Sequence, residues 1–270
     1  MSTTDTTLPS PAPTAPTGTT PPWRRPALVR WAIIMALILA LEAATRTGLI
    51  SPTLLVSPTE ILTRLAHIVA TAQFAQDAAR TLTTILSAFG FGLGLGIPLG
   101  IILWRFPAAG RVLEPFIVTG YAMPTLLFYP VLLAAMGLNA GPIILIAATM
   151  SLIPIALTTM VALNSIKPIL HKLANSVSAS PTQYYLKVLL PAATPLVFPG
   201  LRLGFIYAVI GTIAMEFILA GQGIGFRAGF YYRELNTADM WAYITVVVVL
   251  SVLVNTLLTR AEKRIRRDML

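Results

Sequence analysis

Long apolar runs alternate with short polar stretches along most of this chain. Six of these runs are long enough for a helix to cross a hydrocarbon core, which takes about 20 residues. They occupy residues 28–50, 81–104, 115–137, 141–164, 195–220 and 240–259. The pattern predicts an all-α integral membrane protein with about six transmembrane helices.

A polar island at residues 172–191 separates the fourth apolar run from the fifth. Ser180, Pro181 and Gln183 form a helix-start signal, since serine caps, proline suits the first turn and glutamine reaches back to the cap. The helix that follows carries an apolar surface made of Tyr184, Tyr185, Val188 and Leu189. Because a small membrane protein offers no obvious partner for this surface, the island is predicted to dock a separate subunit.

The island also resembles the cytoplasmic loop of ABC importer permeases. The pattern of that loop is Glu-Ala-Ala, three residues, Gly, nine residues, Ile, one residue and Leu-Pro. When Leu190-Pro191 is aligned with the Leu-Pro end, Val188 takes the Ile place, Ser178 the Gly place and residues 172–174 the Glu-Ala-Ala places. Lys172, Leu173 and Ser178 depart from the pattern. The Gly place is where the loop bends, and serine tolerates a positive φ less well than glycine.

This resemblance extends over about residues 57–262 and is nearest to the permeases for nitrate, sulfonates and taurine. It implies a type I importer fold with a cytoplasmic coupling helix, two copies of the chain around one pathway, and no enzymatic activity in the chain. It also implies two ATPase subunits that bind ATP and Mg, so that this chain needs no cofactor. An external protein would deliver a small solute, expected to be an anion of the nitrate, sulfonate, taurine or aromatic-acid class. The residues expected to couple to the ATPase are Lys172, Ala174, Ser178, Ser180, Pro181, Tyr184, Tyr185, Val188, Leu190 and Pro191.

Basic residues indicate the orientation in the membrane. If the N-terminus is placed inside, 14 of the Lys and Arg residues fall in inside segments and 5 in outside segments. Because basic residues concentrate on the cytoplasmic side, both termini and the island are predicted to lie in the cytoplasm of a bacterial cell, with the chain in its inner membrane. The expected organisation is a disordered tail (1–26), a permease domain (27–262) and a basic, lipid-contacting tail (263–270).

Composition narrows the possible functions. Hydrophobic residues make up 56% of the chain and charged residues only 11%, against about 25% charged in soluble domains. There is no Cys and there are two His, so no metal site of the common zinc types is expected. No Gly-Lys dipeptide occurs, which excludes a Walker A loop. The net charge of +9 fits lipid contact and orientation rather than nucleic-acid binding.

Three glycines at intervals of four, Gly92, Gly96 and Gly100, lie in the second run. Their spacing differs from that of a dinucleotide-binding loop, and no strand precedes them. Small residues at this interval let membrane helices approach closely. The segment is therefore predicted to pack against another helix, and it also resembles the first conserved core helix of the permeases.

Two prolines, Pro124 and Pro130, lie inside the third run. Buried prolines break the backbone ladder, so the freed carbonyl groups need partners or line a cavity. The prolines predict either a kink that serves helix packing or a bend that lines the pathway, and the sequence alone does not choose between these interpretations. In the second case Tyr121, Met123 and Tyr129 would line the pathway.

Glu216, beside Met215, is the one acid deep in a late run. Carboxylates in a membrane usually face a partner or a pathway, but Glu216 lies near enough to the outer end to snorkel into water instead. Met215 and Glu216 are therefore candidate pathway residues, with snorkelling as the open alternative. In the same run, Arg202 near the inner end is predicted to anchor a lipid headgroup.

A glycine-rich turn, Gly221–Gly225, follows Glu216 and resembles the turn after the acidic residue of the permeases. Beyond it, Arg227 and Arg233 could receive an anionic solute or the protein that delivers it. The alternative function is an ion-coupled secondary transporter with Glu216 as the ion carrier, although this leaves the capped island unexplained. An intramembrane enzyme is disfavoured, because the runs lack paired His, Cys or clustered carboxylates.

Overall fold

The computed structural model describes residues 26–122 and 125–267, which form helices and no strand. In chain order the elements are α1 (Pro26–Arg46), α2 (Pro58–Val69), α3 (Ala72–Arg105), α4 (Pro107–Ala122), a 3₁₀ turn (Thr125–Phe128), α5 (Tyr129–Met136), α6 (Gly141–Asn164), α7 (Pro168–Ser176), α8 (Pro181–Gln183), a π-helical segment (Tyr184–Leu189), α9 (Leu190–Leu219), α10 (Ile224–Arg233) and α11 (Thr237–Arg267).

The prediction of about six transmembrane helices is confirmed. Five helices are long and apolar enough to cross a membrane, and α4 with the 3₁₀–α5 segment makes a sixth if that pair, bent by 81°, is one span. Among the helices that are longer than the sequence predicted are α3 and α11. α3 begins at Ala72 rather than at 81, because the Thr71 hydroxyl accepts from the Phe74 N–H at 3.1 Å and caps it. α11 continues through Arg267 into the segment expected to be a tail.

Two predictions fall wholly or partly outside the described residues. The N-terminal tail is one, since the structure describes the chain only from Pro26. The other concerns the third span, where Met123, Pro124 and the side chain of Tyr121 lie outside the described part. The chain does break there, since α4 and the following segment are bent by 81°.

The core is a close packing of α3, α6 and α9 through small residues. A Cβ on Gly92 would lie 2.5 Å from Ser151 Oγ, and one on Gly100 would lie 2.5 Å from the Ala156 carbonyl oxygen. Gly96 stands equally close, with the Leu152 carbonyl oxygen 2.9 Å from where its Cβ would be. These glycines of α3 therefore lie directly on α6, and Gly204 of α9 also meets α6, at Ile155 and Ser151.

The antiparallel helices give the bundle two distinct ends. At the loop end, Leu163, Ile166, Leu189 and Ala193 form a buried cluster on which Trp104 packs. At the opposite end, Ile224, Ala228 and Tyr243 are buried together, and Phe74 packs against them. The two ends carry the two groups of candidate functional residues.

The contacts of Arg202 differ from those of the lipid anchor that the sequence predicted. Its Nε and Nη2 atoms donate to Asn255 Oδ1 of α11 at 3.0 and 2.7 Å. Its Nη1 also lies 3.6 Å from Glu262 Oε2. The guanidinium group thus ties α9 to α11 within the bundle, whereas the sequence predicted a lipid-headgroup anchor.

Candidate functional site

The bend of the loop is centred on Ser178, which has a positive φ of 49°. The Ser178 N–H donates to the Asn175 carbonyl, and the Ala179 N–H donates to the Ala174 carbonyl, both at 3.0 Å. This pair of hydrogen bonds is a Schellman motif, which ends α7 with a left-handed residue that is usually glycine. The alignment of Ser178 with the Gly place therefore agrees with the backbone.

The helix start at Ser180 is confirmed. Ser180 Oγ accepts from the Gln183 N–H at 3.3 Å, and Gln183 Oε1 accepts from the Ser180 N–H at 3.0 Å. The two side chains therefore form a complete capping box, with Pro181 in the first turn.

The helical run that starts here does not stop before the membrane. It passes through the π segment Tyr184–Leu189 directly into α9, and the Leu190 N–H donates to the Tyr185 carbonyl in the wider π register. Pro191 accounts for this widening, because its ring clashes with the carbonyl four residues earlier and it has no N–H to donate. The island is therefore two helices joined at Ser178, the second continuous with a span.

The exposed apolar surface of the loop differs from the predicted one. Leu189 is buried and Tyr184 packs against the same loop-end cluster, while Val188 is half-buried. In contrast, α7 and its C-cap residue Val177 leave apolar side chains exposed, with Ile169 exposed by 64%, Leu173 by 56% and Val177 by 67%. These residues recur every four positions and so share one helix face. We call Ile169, Leu173 and Val177 the docking face; Tyr185, Leu186 and Leu190 of the second helix are also exposed.

The remaining predicted loop residues divide between exposed and buried positions. Lys172, Ser178, Ser180 and Pro181 are exposed, whereas Ala174 is buried. The docking face lies before Ser180, whereas the apolar surface predicted from the sequence lies after it. The regular interval of Ile169, Leu173 and Val177 was the signal available.

At the opposite end, Glu216 is 1% exposed and is held by hydrogen bonds. Thr81 Oγ1 lies 2.8 Å from Glu216 Oε2 and 3.0 Å from Oε1, and donates to this carboxylate. The Gly225 N–H donates to Oε2 at 3.0 Å. This burial shows that the snorkelling interpretation is wrong.

A second acid, Asp77 of α3, completes the arrangement. Its Oδ2 accepts from Arg227 Nε at 2.7 Å, and its Oδ1 accepts from the Gly223 N–H at 3.0 Å. The Ile224 N–H donates to Thr81 Oγ1 at 2.9 Å. We call Asp77, Thr81, Glu216 and Arg227 the polar lock, since it joins α3, α9 and the start of α10.

The glycine-rich turn fits closely around Glu216. Gly223 has a φ of 113°, and a Cβ there would lie 2.5 Å from the Glu216 carboxyl carbon. The turn directs three successive N–H groups at the start of α10 toward the polar lock, where the helix dipole favours negative charge. Only glycine combines this backbone with this close approach.

The arginines predicted to receive an anion are engaged within the chain. Arg227 pairs with Asp77, and Arg233 Nη1 lies 3.5 Å from the Phe217 carbonyl oxygen. Asp77 and Thr81 were not predicted as site residues, since Asp77 lies before the predicted run 81–104 and Thr81 is only its first residue. In the described part of the chain, no group of three acidic or histidine side chains is placed to hold a metal ion.

A cavity of about 270 Å³ adjoins the polar lock. Of the predicted pathway residues, Glu216 and Tyr129 line it, and the Tyr129 hydroxyl donates to the Leu219 carbonyl at 3.3 Å. Met215 is fully buried in an apolar cluster with Tyr129 instead. The lining is formed by Arg80, Thr84, Tyr129, Leu138, Asn139, Ala140, Ile143, Glu216, Leu219, Ala220, Gly221 and Gln222.

Residues 92–267 match the family described as the binding-protein-dependent transport system inner membrane component. The chain belongs to this family of ABC transporter permeases. The taurine transport system permease protein TauC of Escherichia coli is 28% identical over 222 residues, covering 80% of this chain and 81% of that protein. The nitrate import permease protein NrtB of Leptolyngbya laminosa is 28% identical over 196 residues, covering 73% and 69%.

A solved structure shows the same fold. The inward-facing MetNI methionine ABC transporter contains a chain that is 21% identical, with a TM-score of 0.62 over 72% of this chain and 96% of that one. The permease therefore has the type I importer fold and is a transport subunit rather than an enzyme. ATP hydrolysis takes place on a partner ATPase in this family, and the ion-coupled alternative is not favoured.

Proposed function

We propose that this permease imports a small anion, with two copies of the chain enclosing the pathway. An ATPase subunit binds the docking face of each copy and carries the ATP and Mg, and an external binding protein delivers the solute to the opposite end. The observation that carries the proposal is the docking face. It exposes Ile169, Leu173 and Val177 on a short helix that the loop-end cluster and the Schellman motif hold in place.

The distribution of charge supports a cytoplasmic loop end. Arg105 ends α3 and Lys167 precedes α7 at this end, and Arg264 lies near the end of α11. The opposite end carries fewer basic residues, among them Arg46, Arg64 and Arg80. Since basic residues favour the cytoplasmic side, the loop faces the cytoplasm and the polar lock faces outward.

Transport follows from alternation between two arrangements of the copies. ATP binding closes the ATPase pair, draws the two loops together and opens the pathway outward. Hydrolysis and product release reset it. The rigid bend at Ser178 and the continuous run from Pro181 into α9 support this role, because they link the docking face to a span without a slack connection.

Support for an anion comes from the relatives and from the charge at the outer end. Among the similar proteins, one is named for taurine, which carries a sulfonate, one for nitrate, and one for glycine betaine and proline betaine, which carry a carboxylate. Arg80 lines the cavity, and its guanidinium group has no hydrogen bond or ion pair in the described part of the chain, so its charge is available to a solute.

The docking role is tested by placing a charge on the docking face. Leu173→Asp or Val177→Asp is co-expressed with the genes adjacent to this one, and the ATPase retained on the purified permease is measured. We expect at least a tenfold loss, because a carboxylate in an apolar interface must be desolvated without a partner. Leu235→Asp is the matched control, since Leu235 is 82% exposed at the opposite end.

Undiminished ATPase on both docking-face variants would contradict this role for α7. For the wild type, a complex whose ATP hydrolysis in nanodiscs rises with binding protein and solute supports the importer. A permease that moves solute under an ion gradient without any ATPase would instead support the secondary transporter.

A further inference from the structure

Arg80 is the cationic side chain of the cavity beside the polar lock. It lies on α3 one turn from Thr84, and both residues line the cavity. The Thr84 hydroxyl donates to the Arg80 carbonyl at 3.0 Å, which is a bond to the backbone and does not involve the guanidinium group. In the described part of the chain this guanidinium has no hydrogen bond and no ion pair.

Glu216 attracts the Arg80 guanidinium through space, but the two side chains form no hydrogen bond or ion pair in the described part of the chain. Glu216 is bound by Thr81 and by the Gly225 N–H, and Asp77 is bound by Arg227 and by the Gly223 N–H. Both acids of the polar lock thus have partners other than Arg80. The unengaged group of the cavity is a planar cation with several donors, which suits a carboxylate, sulfonate or nitrate.

Two further features of the lining favour an anion. The side-chain amide of Gln222 is exposed and has no hydrogen-bond partner among the described residues, so it can donate into the cavity. The N-terminal end of α6 meets the cavity at Ala140, and the positive end of a helix dipole attracts negative charge. Asn139, by contrast, is already used, since its Nδ2 donates to the Met136 carbonyl at 2.5 Å and its Oδ1 accepts from the Gly141 N–H at 2.6 Å.

We propose that this cavity is a solute subsite in which the Arg80 guanidinium, assisted by the Gln222 amide, binds the oxyanion group of the transported molecule. The volume of about 270 Å³ lies just below the range of pockets that hold drug-sized ligands, so it fits a small solute. This inference rests on the proposed import of a small anion. It assigns to Arg80 the role that the sequence analysis gave to Arg227 and Arg233.

The test measures binding to the permease–ATPase complex in nanodiscs without the external binding protein. Radiolabelled taurine, nitrate and benzoate are the probes, in chloride-free buffer. Arg80→Gln is compared with Arg80→Lys and with Arg64→Gln, an exposed arginine at the same end that does not line the cavity. We expect the dissociation constant of the transported probe to rise about tenfold or more in Arg80→Gln, less in Arg80→Lys, and not at all in Arg64→Gln.

Uptake by the complete importer in proteoliposomes separates the possible failures. If a probe is taken up but binds Arg80→Gln as tightly as wild type, or shows no saturable binding to the permease–ATPase complex, the subsite is refuted while the importer stands. If the complex hydrolyses ATP but takes up none of the three probes, the proposed solute class is wrong and the subsite with it. If the permease retains no ATPase, the proposed function itself fails.

Discussion

The two ends of the bundle differ in whether their functional side chains have partners within the chain. At the end that holds the polar lock, both acids are buried and accept hydrogen bonds from groups of the same chain. At the loop end, α7 is held in position but leaves the apolar docking face uncovered. The acids of the first end have their partners within one chain, whereas the docking face of the second end is the surface that we propose the ATPase subunit covers.

The difference also appears in sequence separation. The polar lock joins residues 135 to 150 positions apart, such as Thr81 with Glu216 and Asp77 with Arg227. The loop is organised by contacts between residues only three to five positions apart, as in the capping box and the Schellman motif. Local contacts can give a docking element its shape without burying it. The buried polar lock depends instead on contacts between residues far apart in the sequence.

The largest expected effect comes from breaking the polar lock. Asp77→Ala removes the partner of Arg227 and the acceptor of the Gly223 N–H, so we expect a loss of about 3 kcal/mol in the free energy of unfolding. Thermal unfolding in detergent measures it. The double variant Asp77→Ala with Arg227→Ala should lose less than the two single losses combined, because no charge is left unpaired. Strict additivity would show that the pair is not coupled.

A smaller effect is expected at the packed core that connects the two ends. Gly100→Ala places a Cβ 2.5 Å from the Ala156 carbonyl oxygen, so α3 and α6 must separate at a cost of about 2 kcal/mol. Gly94→Ala is the control, since a Cβ there meets nothing within 4 Å, and it should stabilise the helix by about 0.5 kcal/mol. Equal melting temperatures for the two variants would contradict close α3–α6 packing.

The smallest effect concerns the bend at the loop end. Ser178→Gly relieves the positive φ of 49° and should raise the stability of the permease by about 1 kcal/mol. Ser176→Gly changes the last residue of α7 and should instead cost about 0.5 kcal/mol, because glycine is a weaker helix former than serine. The melting temperatures of the two variants should therefore move in opposite directions. A decrease for both would mean that Ser178 has a contact that glycine cannot replace.

Local signals let the sequence predict much of the fold and of the loop. Ser180 and Gln183 are three residues apart, and the alignment that placed Ser178 at the bend depends only on spacing, so both could be inferred without tertiary structure. The apolar runs predicted the spans for the same reason. Their bounds were less accurate where a cap such as Thr71 lies outside the apolar run.

Long-range pairing could not be inferred in this way. Asp77 precedes the apolar run, and nothing near it in the sequence points to Arg227 or to the turn at Gly223. Arg202 looked like a headgroup anchor because its partner Asn255 lies on another helix. The docking face was missed for a different reason, since its four-residue interval was visible but Leu173 was considered only as a departure from the Glu-Ala-Ala pattern.

The glycine contacts of the core determine what kind of motion is open to this permease. If α3 rotated about its own axis against α6, Phe91 or Leu95 would move into the space now held by Gly92 and Gly96, where even a methyl group does not fit without displacing its neighbours. Close-packed interfaces of this kind shift between discrete states rather than deform gradually. The triad of α3, α6 and α9 is therefore a single mechanical part, and a transport cycle would move it as a block relative to its surroundings.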